Sequence, residues 1–394
     1  MGAPSPPHPT MPTGSPLRLS PSVLLSTAPD GYVAYDVRLD RLYRLNPTAA
    51  LIVELCDGTR DFQQLQADLS PLMGDDWPGC LDWIATARRD QLLTEEHRTA
   101  AAPDAATLAA HADALQGRDR VLAAFLCQRR AVDLAPDDPD AWLRLGELAH
   151  IVGRRNEARV AYQHYLSQCP DDAEVEHLLT ALTDAAPPPR VSDRCIEQLY
   201  SRFAAFYDEN MTGELDYCAP ERLHDATVAV LGTRADLDVL DLGCGTGLGG
   251  EQWRARAACL VGVDLSADMI ARARTRGVYD RLETAEITGW LAKDMSERFD
   301  LVIACDTLIY FGDLAQVVEP AARVLKPGGL LAFSVERGDT DPFRLSDSGR
   351  FTHHPHHVSD VVRGAGLTLL GLSEPVVRHE YGEPVTALIA VCRA

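Results

Sequence analysis

The 394-residue chain predicts an α/β domain preceded by a small strand-and-helix module and a short helical spacer, and three observations predict it. Val239-Leu240-Asp241-Leu242 is an apolar run that breaks into Gly243-Cys244-Gly245-Thr246-Gly247, as a strand buried on both faces does when it ends in a glycine turn. A second apolar run, Cys259 to Val263, ends in Asp264. In the first half, alternating stretches give way to helical periodicity, and Pro103, Pro136 and Pro170 follow one another at intervals of 33 and 34 residues.

Bulk properties fit two or three globular domains, with 46% apolar residues. A net charge of −21 argues against phosphate-backbone binding, so no nucleic-acid partner is expected. No run approaches the ~18 apolar residues of a membrane span. The Pro- and Ser-rich residues 1–17 read as a disordered tail without the parts of a signal peptide. Ten dispersed cysteines with no C-x-x-C pair suit reduced thiols in a cytoplasm. Oligomeric state is left open.

In chain order, Gly31 to Val37 and Asp40 to Leu45 alternate like the strands of a hairpin. Asn46 then caps a helix whose first position is Pro47 and which ends before Gly58. Asp61 to Leu69 and Cys80 to Leu93 read as further helices, which makes residues 18–98 a winged-helix-like module. The proline period over 103–184, with Trp142, Leu145, Gly146, Ala158 and Tyr162 at fixed offsets, matches a 34-residue helical repeat. Two such repeats are fewer than a stand-alone binder needs, so they read as a spacer. Ala185 to Pro189 break helix and predict a stiff linker over 185–190. The α/β domain should occupy 191–394.

The glycine turn also satisfies the dinucleotide pattern G-x-G-x-x-G through Gly250. Asp264 ends the second strand about 20 residues after the turn and suits a ribose diol in either kind of site. Asp241 separates them. A carboxylate beside the turn repels a pyrophosphate but suits the ammonium of a methionine moiety, so S-adenosylmethionine is the expected cofactor.

From about Tyr200 onward the chain resembles a class I S-adenosylmethionine-dependent methyltransferase of the type fused to tetratricopeptide repeats. The resemblance rests on Asp241 to Gly247, Val263 to Ser266 with Met269, Phe299 to Val302, Asp306 to Tyr310, Leu325 to Gly329 and Phe333 to Glu336. It implies a Rossmann-like domain. It also implies cofactor contacts from Asp241, Gly243, Gly245 and Gly247, then from Asp264, Leu265 and Met269, and from Ile287 and Asp306. Glu286 resembles the acid that accepts from the adenine amino group, although an Asp is commoner there. Tyr200, Tyr207 and Tyr217 become candidate walls of the cofactor and substrate mouth, and Tyr200 and Tyr207 candidate cofactor contacts.

Methyl transfer from a sulfonium needs alignment more than activation. A base is required only when the acceptor must lose a proton, and Asp306, Tyr310 and the histidines around His354 are the candidates. His353 lies in Gly349-Arg-Phe-Thr-His353, which resembles the substrate side of the same family, and His357 stands where relatives tend to carry a tyrosine. No (Asn/Asp)-Pro-Pro-aromatic element follows the fourth strand, which favours an oxygen acceptor. The His353-to-His357 cluster carries no metal-site spacing and no metal is expected.

A second resemblance covers residues 18–97. Tyr43-Arg-Leu-Asn-Pro-Thr-Ala-Ala50 with Leu55-Cys-Asp-Gly-Thr59 is similar to the PqqD-like domain that captures leader peptides of ribosomally made precursors. It implies strand addition at the Arg41–Leu45 edge, with Arg41, Tyr43 and Leu45 as contacts, and packing on the last helix through Trp83 and Ala87. Together the two resemblances imply an enzyme that methylates a captured precursor peptide. A small-molecule or carrier-bound acceptor is the alternative, and a scaffold that binds the cofactor without turnover is a second.

Overall fold

The computed structural model describes residues 15–95, 103–293, 298–340, 342–380 and 382–394. The expected tail lies outside them as far as residue 14. The chain divides into two compact units, Met1–Gln168 and Cys169–Ala394.

The first unit opens with β1 (Arg18–Leu19), then the antiparallel meander β2 (Val23–Ala28), β3 (Gly31–Asp36) and β4 (Arg41–Leu45), in that spatial order. The hairpin is present as expected, but β2 was not foreseen, because Val23-Leu24-Leu25 lacks clean alternation. Helix α1 (Pro47–Leu55) is capped by the Asn46 side chain, which accepts from the Ala49 N–H at 2.8 Å. Helix α2 (Phe62–Met73) starts at a reciprocal capping box between Asp61 and Gln64. Helix α3 runs Trp77–Arg89, earlier than the expected 80–93, and Leu93 instead enters β5 (Leu93–Thr94), which pairs with β1. Leu45 and Ala87 were expected to touch a peptide. Both are buried in the core with Ile52, Leu65 and Ile84, so that expectation is corrected: their side chains point inward. Arg41 is exposed, whereas Tyr43 and Trp83 are half-buried against the same core.

Helices α4 (Ala105–Gln116), α5 (Val121–Leu134), α6 (Pro139–Ile151) and α7 (Arg155–Gln168) follow. Gly146 on α6 lets the Tyr162 ring of α7 approach: a Cβ there would lie 2.4 Å from the ring. Trp142 stacks on His164 at 4.1 Å between ring centroids.

The second unit begins with α8 (Ala173–Ala181). Its Ala173 and Ala181 pack with Val191, Cys195, Leu345 and Phe351 of the same unit. The proline-rich stretch is no free linker at its end: the Pro189 carbonyl accepts from the N–H groups of Gly312 and Asp313, at 2.9 and 3.2 Å. Helix α9 (Asp193–Phe203), capped by Ser192, leads through the one-turn α10 (Tyr207–Glu209) into a π-helical turn, Asn210–Glu214. Helix α11 (Ala219–Leu231) comes next.

Then strands and helices alternate: β6 (Leu237–Leu242), α12 (Leu248–Trp253), β7 (Ala257–Asp264), α13 (Ala267–Arg276), β8 (Arg281–Thr284), α14 (Ile287–Leu291), β9 (Phe299–Ala304), α15 (Ala315–Arg323) and β10 (Leu325–Arg337). Strands β8, β7, β6, β9 and β10 lie side by side and parallel. Beyond β10 the sheet becomes mixed, through β11 (Phe343–Leu345), β12 (Phe351–His353), α16 (Pro355–Gly364), β13 (Thr368–Ser373), β14 (Val376–Glu380) and β15 (Glu383–Arg393). Strand β15 runs antiparallel to β10, β13 and β14.

The sheet is buried on both faces, which is why its strands read as apolar runs. Alternate residues of β6 serve opposite cores: Leu240 and Leu242 one, Leu237 and Val239 the other. Each such side chain contributes roughly 1.5–3 kcal/mol by burial. No described helix is long and apolar enough to cross a membrane.

Candidate functional site

At the carboxyl ends of β6, β7 and β9 lies a cleft of about 700 Å³, counting its open mouth. Ligands collect at this edge of open α/β sheets. The glycine turn forms its floor. Gly243 and Gly245 have φ of +70° and +53°, and a Cβ on Gly243 would meet the Thr307 side chain at 2.3 Å, whereas a Cβ on Gly245 would meet nothing within 4 Å. Gly243 thus permits the turn to lie against Thr307, and Gly245 leaves open space over the floor.

Asp264, at the end of β7, accepts from the Gly245 N–H on Oδ2 and from the Ser266 N–H on Oδ1, both at 2.8 Å. Burial pushes its carboxyl up, against those two hydrogen bonds. Each oxygen retains a lone pair that a ribose diol could fill. Leu265, Met269 and Ile287 supply apolar lining beside it. Glu286 lines the same cleft, and its carboxylate caps α14, accepting from the Thr288 and Gly289 N–H groups at 2.9 and 2.6 Å.

Asp241 lines an adjoining recess with Tyr207, Tyr217 and Thr246. It is almost fully buried and accepts from the Tyr279 hydroxyl at 2.7 Å. Burial pushes its carboxyl up to about 7, outweighing that hydrogen bond, and Asp264 adds to the rise.

The roof comes from 193–217. Tyr200 and Tyr207 line the cleft, and Tyr217 lines the recess with its hydroxyl 3.8 Å from the Cys305 Sγ. A polar clasp holds this segment to the turn: Asp208 pairs with Arg276 and accepts from the Thr246 hydroxyl, while the Arg276 Nε donates to the Thr246 carbonyl at 2.8 Å. The Tyr200 and Tyr310 hydroxyls meet at 2.7 Å.

The far wall centres on Asp306. Its φ is +55°, and its N–H donates to the Ser334 hydroxyl at 2.7 Å. Its Oδ2 accepts from Arg378, which is buried, at 2.8 Å. Arg378 donates in turn to Glu380 at 2.7 Å and to Glu336, and Arg350 bridges the same two glutamates at 2.7 and 2.6 Å. Burial alone would lower the Arg378 guanidinium, but Asp306, Glu336 and Glu380 outweigh it and hold it above its ordinary value. Burial works against Glu380 as well, and the two arginines hold it below the usual glutamate range.

Three expectations need correction. His353 is fully buried and does not line the cleft; its Nε2 donates to the Phe311 carbonyl at 2.8 Å. Burial, with a smaller contribution from His357, lowers it to about 4, so it is a neutral strut behind the wall. Tyr310 lines the cleft, yet burial pushes its phenol up to about 12, which removes it as a base and leaves a hydrogen-bonding hydroxyl. Gly247 lines neither cavity: with φ +98° it starts α12, and a Cβ there would meet Arg276 and Tyr279 at 3.1 Å.

Sequence reasoning missed Arg190, which lines the cleft from what read as linker, and Val191 next to it, and it missed Arg378 and Glu380 behind Asp306. The only available signal for the latter was their alternation on one strand. Among the described residues no group of three or more histidines, cysteines, aspartates or glutamates is arranged to hold a metal.

An apolar slot, an acid beside the diol position, a buried acid suited to a cation and a glycine turn with open space over Gly245 together fit S-adenosylmethionine.

Residues 240–333 match the family model described as a methyltransferase domain. The chain is 32% identical over 154 residues to a malonyl-[acyl-carrier protein] O-methyltransferase of Enterobacter lignolyticus (strain SCF1), covering 39% of this chain and 58% of that protein. It is 33% identical over 125 residues to a ubiquinone biosynthesis O-methyltransferase of Nitrobacter winogradskyi, covering 32% of this chain and 48% of that protein. The chain therefore spans about half the length of these relatives. Among solved structures it is similar to the Burkholderia thailandensis 1,6-didemethyltoxoflavin-N1-methyltransferase, at 20% identity and a TM-score of 0.41, covering 54% of this chain and 92% of that one. On the matched segment, the parallel strands and the paired acids of the cleft, the second unit carries a class I S-adenosylmethionine-dependent methyltransferase domain.

Proposed function

We propose that the second unit transfers a methyl group from S-adenosylmethionine to an oxygen atom of a small-molecule or carrier-bound acceptor. One observation carries the reading: a single cleft joins the cradle residues Gly243, Asp264 and Met269 to Tyr200, Asp306 and Tyr310. The two sequence relatives described above are named O-methyltransferases, and one is named for an acyl carrier, which supports oxygen and this acceptor class over a peptide.

Asp241, Asp264, Leu265, Met269 and Ile287 would hold the cofactor, with Glu286 near its base. When bound, it supplies a methyl group already activated on a sulfonium. What remains for the protein is alignment and exclusion of water, and alignment alone can be worth about 7–11 kcal/mol. The Tyr200–Tyr310 pair presents neutral hydroxyls that orient an acceptor, and the tyrosine roof covers the cleft. Asp306 offers an oxygen for the acceptor's own O–H.

The test is formation of S-adenosylhomocysteine, followed by mass spectrometry, with matched hydroxyl, carboxyl, amine and short-peptide acceptors. Methyl on oxygen of a small or thioester-linked acceptor is the expected result. Methyl found only on nitrogen, or no turnover despite tight cofactor binding, would sink it.

A precursor-peptide substrate is the second reading, and one observation favours it: β4 pairs only with β3 among the described residues, and Arg41, Leu42 and Arg44 on it are exposed. Micromolar binding of a leader peptide that is lost when a proline replaces Arg44 would support it.

A further inference from the structure

The charge on the cleft is lopsided. Its lining carries a single cation, Arg190, against Asp193, Asp264, Glu286 and Asp306. Arg190 is already engaged, pairing with Asp193 and lying 4.0 Å from Glu286. At the far wall, Arg350 and Arg378 close a ring with Glu336 and Glu380 through five charge-assisted hydrogen bonds. Two guanidiniums and two carboxylates cancel, so the ring is neutral. Asp306 attaches to it through Oδ2 and brings a third carboxylate, which leaves one negative charge fixed at the wall. Its Oδ1 has no hydrogen-bond partner among the described residues, and the residue lines the cleft.

We infer that Asp306 is a specificity-determining residue, a fixed negative charge that makes the acceptor a neutral hydroxyl compound and excludes a carboxylate. The inference rests on the oxygen-acceptor reading above and narrows it to hydroxyls, which sets this chain apart from the relative named for malonyl-[acyl-carrier protein], whose malonyl group ends in a free carboxylate.

Two physical points support this assignment. A carboxylate entering the cleft would meet a like charge at short range. A hydroxyl faces no such penalty and can donate to the open Oδ1. The tyrosines on the same wall do not offset the charge, because they are neutral and lack a positive centre. Asp306 cannot swing away either: Arg378 grips one oxygen and Ser334 accepts from its backbone N–H.

The test uses the full chain saturated with S-adenosylhomocysteine and titrated by calorimetry with benzyl alcohol and with benzoate, probes of similar size that differ in charge. Benzoate should bind at least tenfold more weakly than benzyl alcohol. Asp306→Asn keeps a side chain that tolerates positive φ and should narrow that ratio at least fivefold. Asp193→Asn at the mouth should narrow it less, and it provides a second measure should the Asp306 variant fold poorly. Equal binding of the two probes to the wild type, a ratio unmoved by both variants, or no binding of either probe overturns the inference. Should the charge preference hold while no oxygen acceptor is ever methylated, the oxygen-acceptor reading falls and takes the hydroxyl assignment with it, and only the exclusion of carboxylates by Asp306 stands.

Discussion

The two ends of the cleft are built in opposite ways. The cradle end is local: Asp241, Gly243, Gly245, Asp264 and Met269 lie within one strand–turn–helix–strand–helix passage, and backbone groups make both contacts to Asp264. The acceptor end is assembled from Tyr200, Asp306, Tyr310, Arg350 and Arg378, and Arg378 is 72 residues from the aspartate it grips. A backbone cradle has few sequence solutions, since it needs glycine at set positions, whereas a wall of side chains can be supplied from many places in the chain.

That contrast can be broken most directly at Gly243. An alanine there would hold φ at +70° and drive its Cβ into Thr307, costing about 3 kcal/mol and lowering S-adenosylmethionine affinity about 100-fold by calorimetry. Near-normal affinity in Gly243→Ala would mean that the cradle is no more demanding than the wall.

The wall should fail instead with pH. Buried His353 titrates near 4 in the fold and near its ordinary 6.5 when unfolded. Between those values the unfolded chain takes up a proton that the folded chain refuses, so stability falls as pH drops through this window, by about 3 kcal/mol in all. Urea titrations from pH 7 to 4 should show the loss, and His353→Gln should flatten it.

At the cradle, Asp264→Ala should weaken S-adenosylmethionine binding at least about tenfold, or 1.4 kcal/mol. Asp241 gives the cradle its own pH signature. With its free-protein value near 7, it must lose a proton before it can pair with an ammonium, so affinity should improve up to about pH 7 and then level off. Proton release on binding at pH 6.5, read as a buffer-dependent heat, checks this, and Asp241→Asn should abolish it.

The smallest expected effect lies in the first unit. Buried Tyr35 bonds Asp40 at 2.7 Å and His111 at 2.9 Å, so Tyr35→Phe should cost about 1 kcal/mol of stability and leave cofactor affinity untouched. A change in that affinity would show that the first unit reaches the cradle.

Much of the second unit was legible in the sequence. Val239–Leu242 and Cys259–Val263 read as buried strands because both their faces are covered, and Leu265, Met269 and Ile287 were placed by resemblance and do line the cleft. His353 was misread because a polar residue in a substrate-side motif looks functional, while its hydrogen bond to a carbonyl 42 residues away has no local trace. Leu45 and Ala87 were misread for a related reason: a strand edge and a helix face can be named from periodicity, but which side is the core depends on packing partners elsewhere. The charge ring was the hardest to foresee, since four side chains from β10, β14 and the loop before β12 carry no shared spacing.

The docking of Pro189 and Arg190 has a practical side for anyone dissecting the gene. The composition break suggests a cut at residue 191, after the prolines. Such a cut would strip the carbonyl that serves Gly312 and Asp313, remove the arginine at the cleft mouth, and uncover the apolar face that α8 shields. A methyltransferase fragment meant to stand alone should begin near Cys169, so that the stretch that reads as a tether travels with the domain.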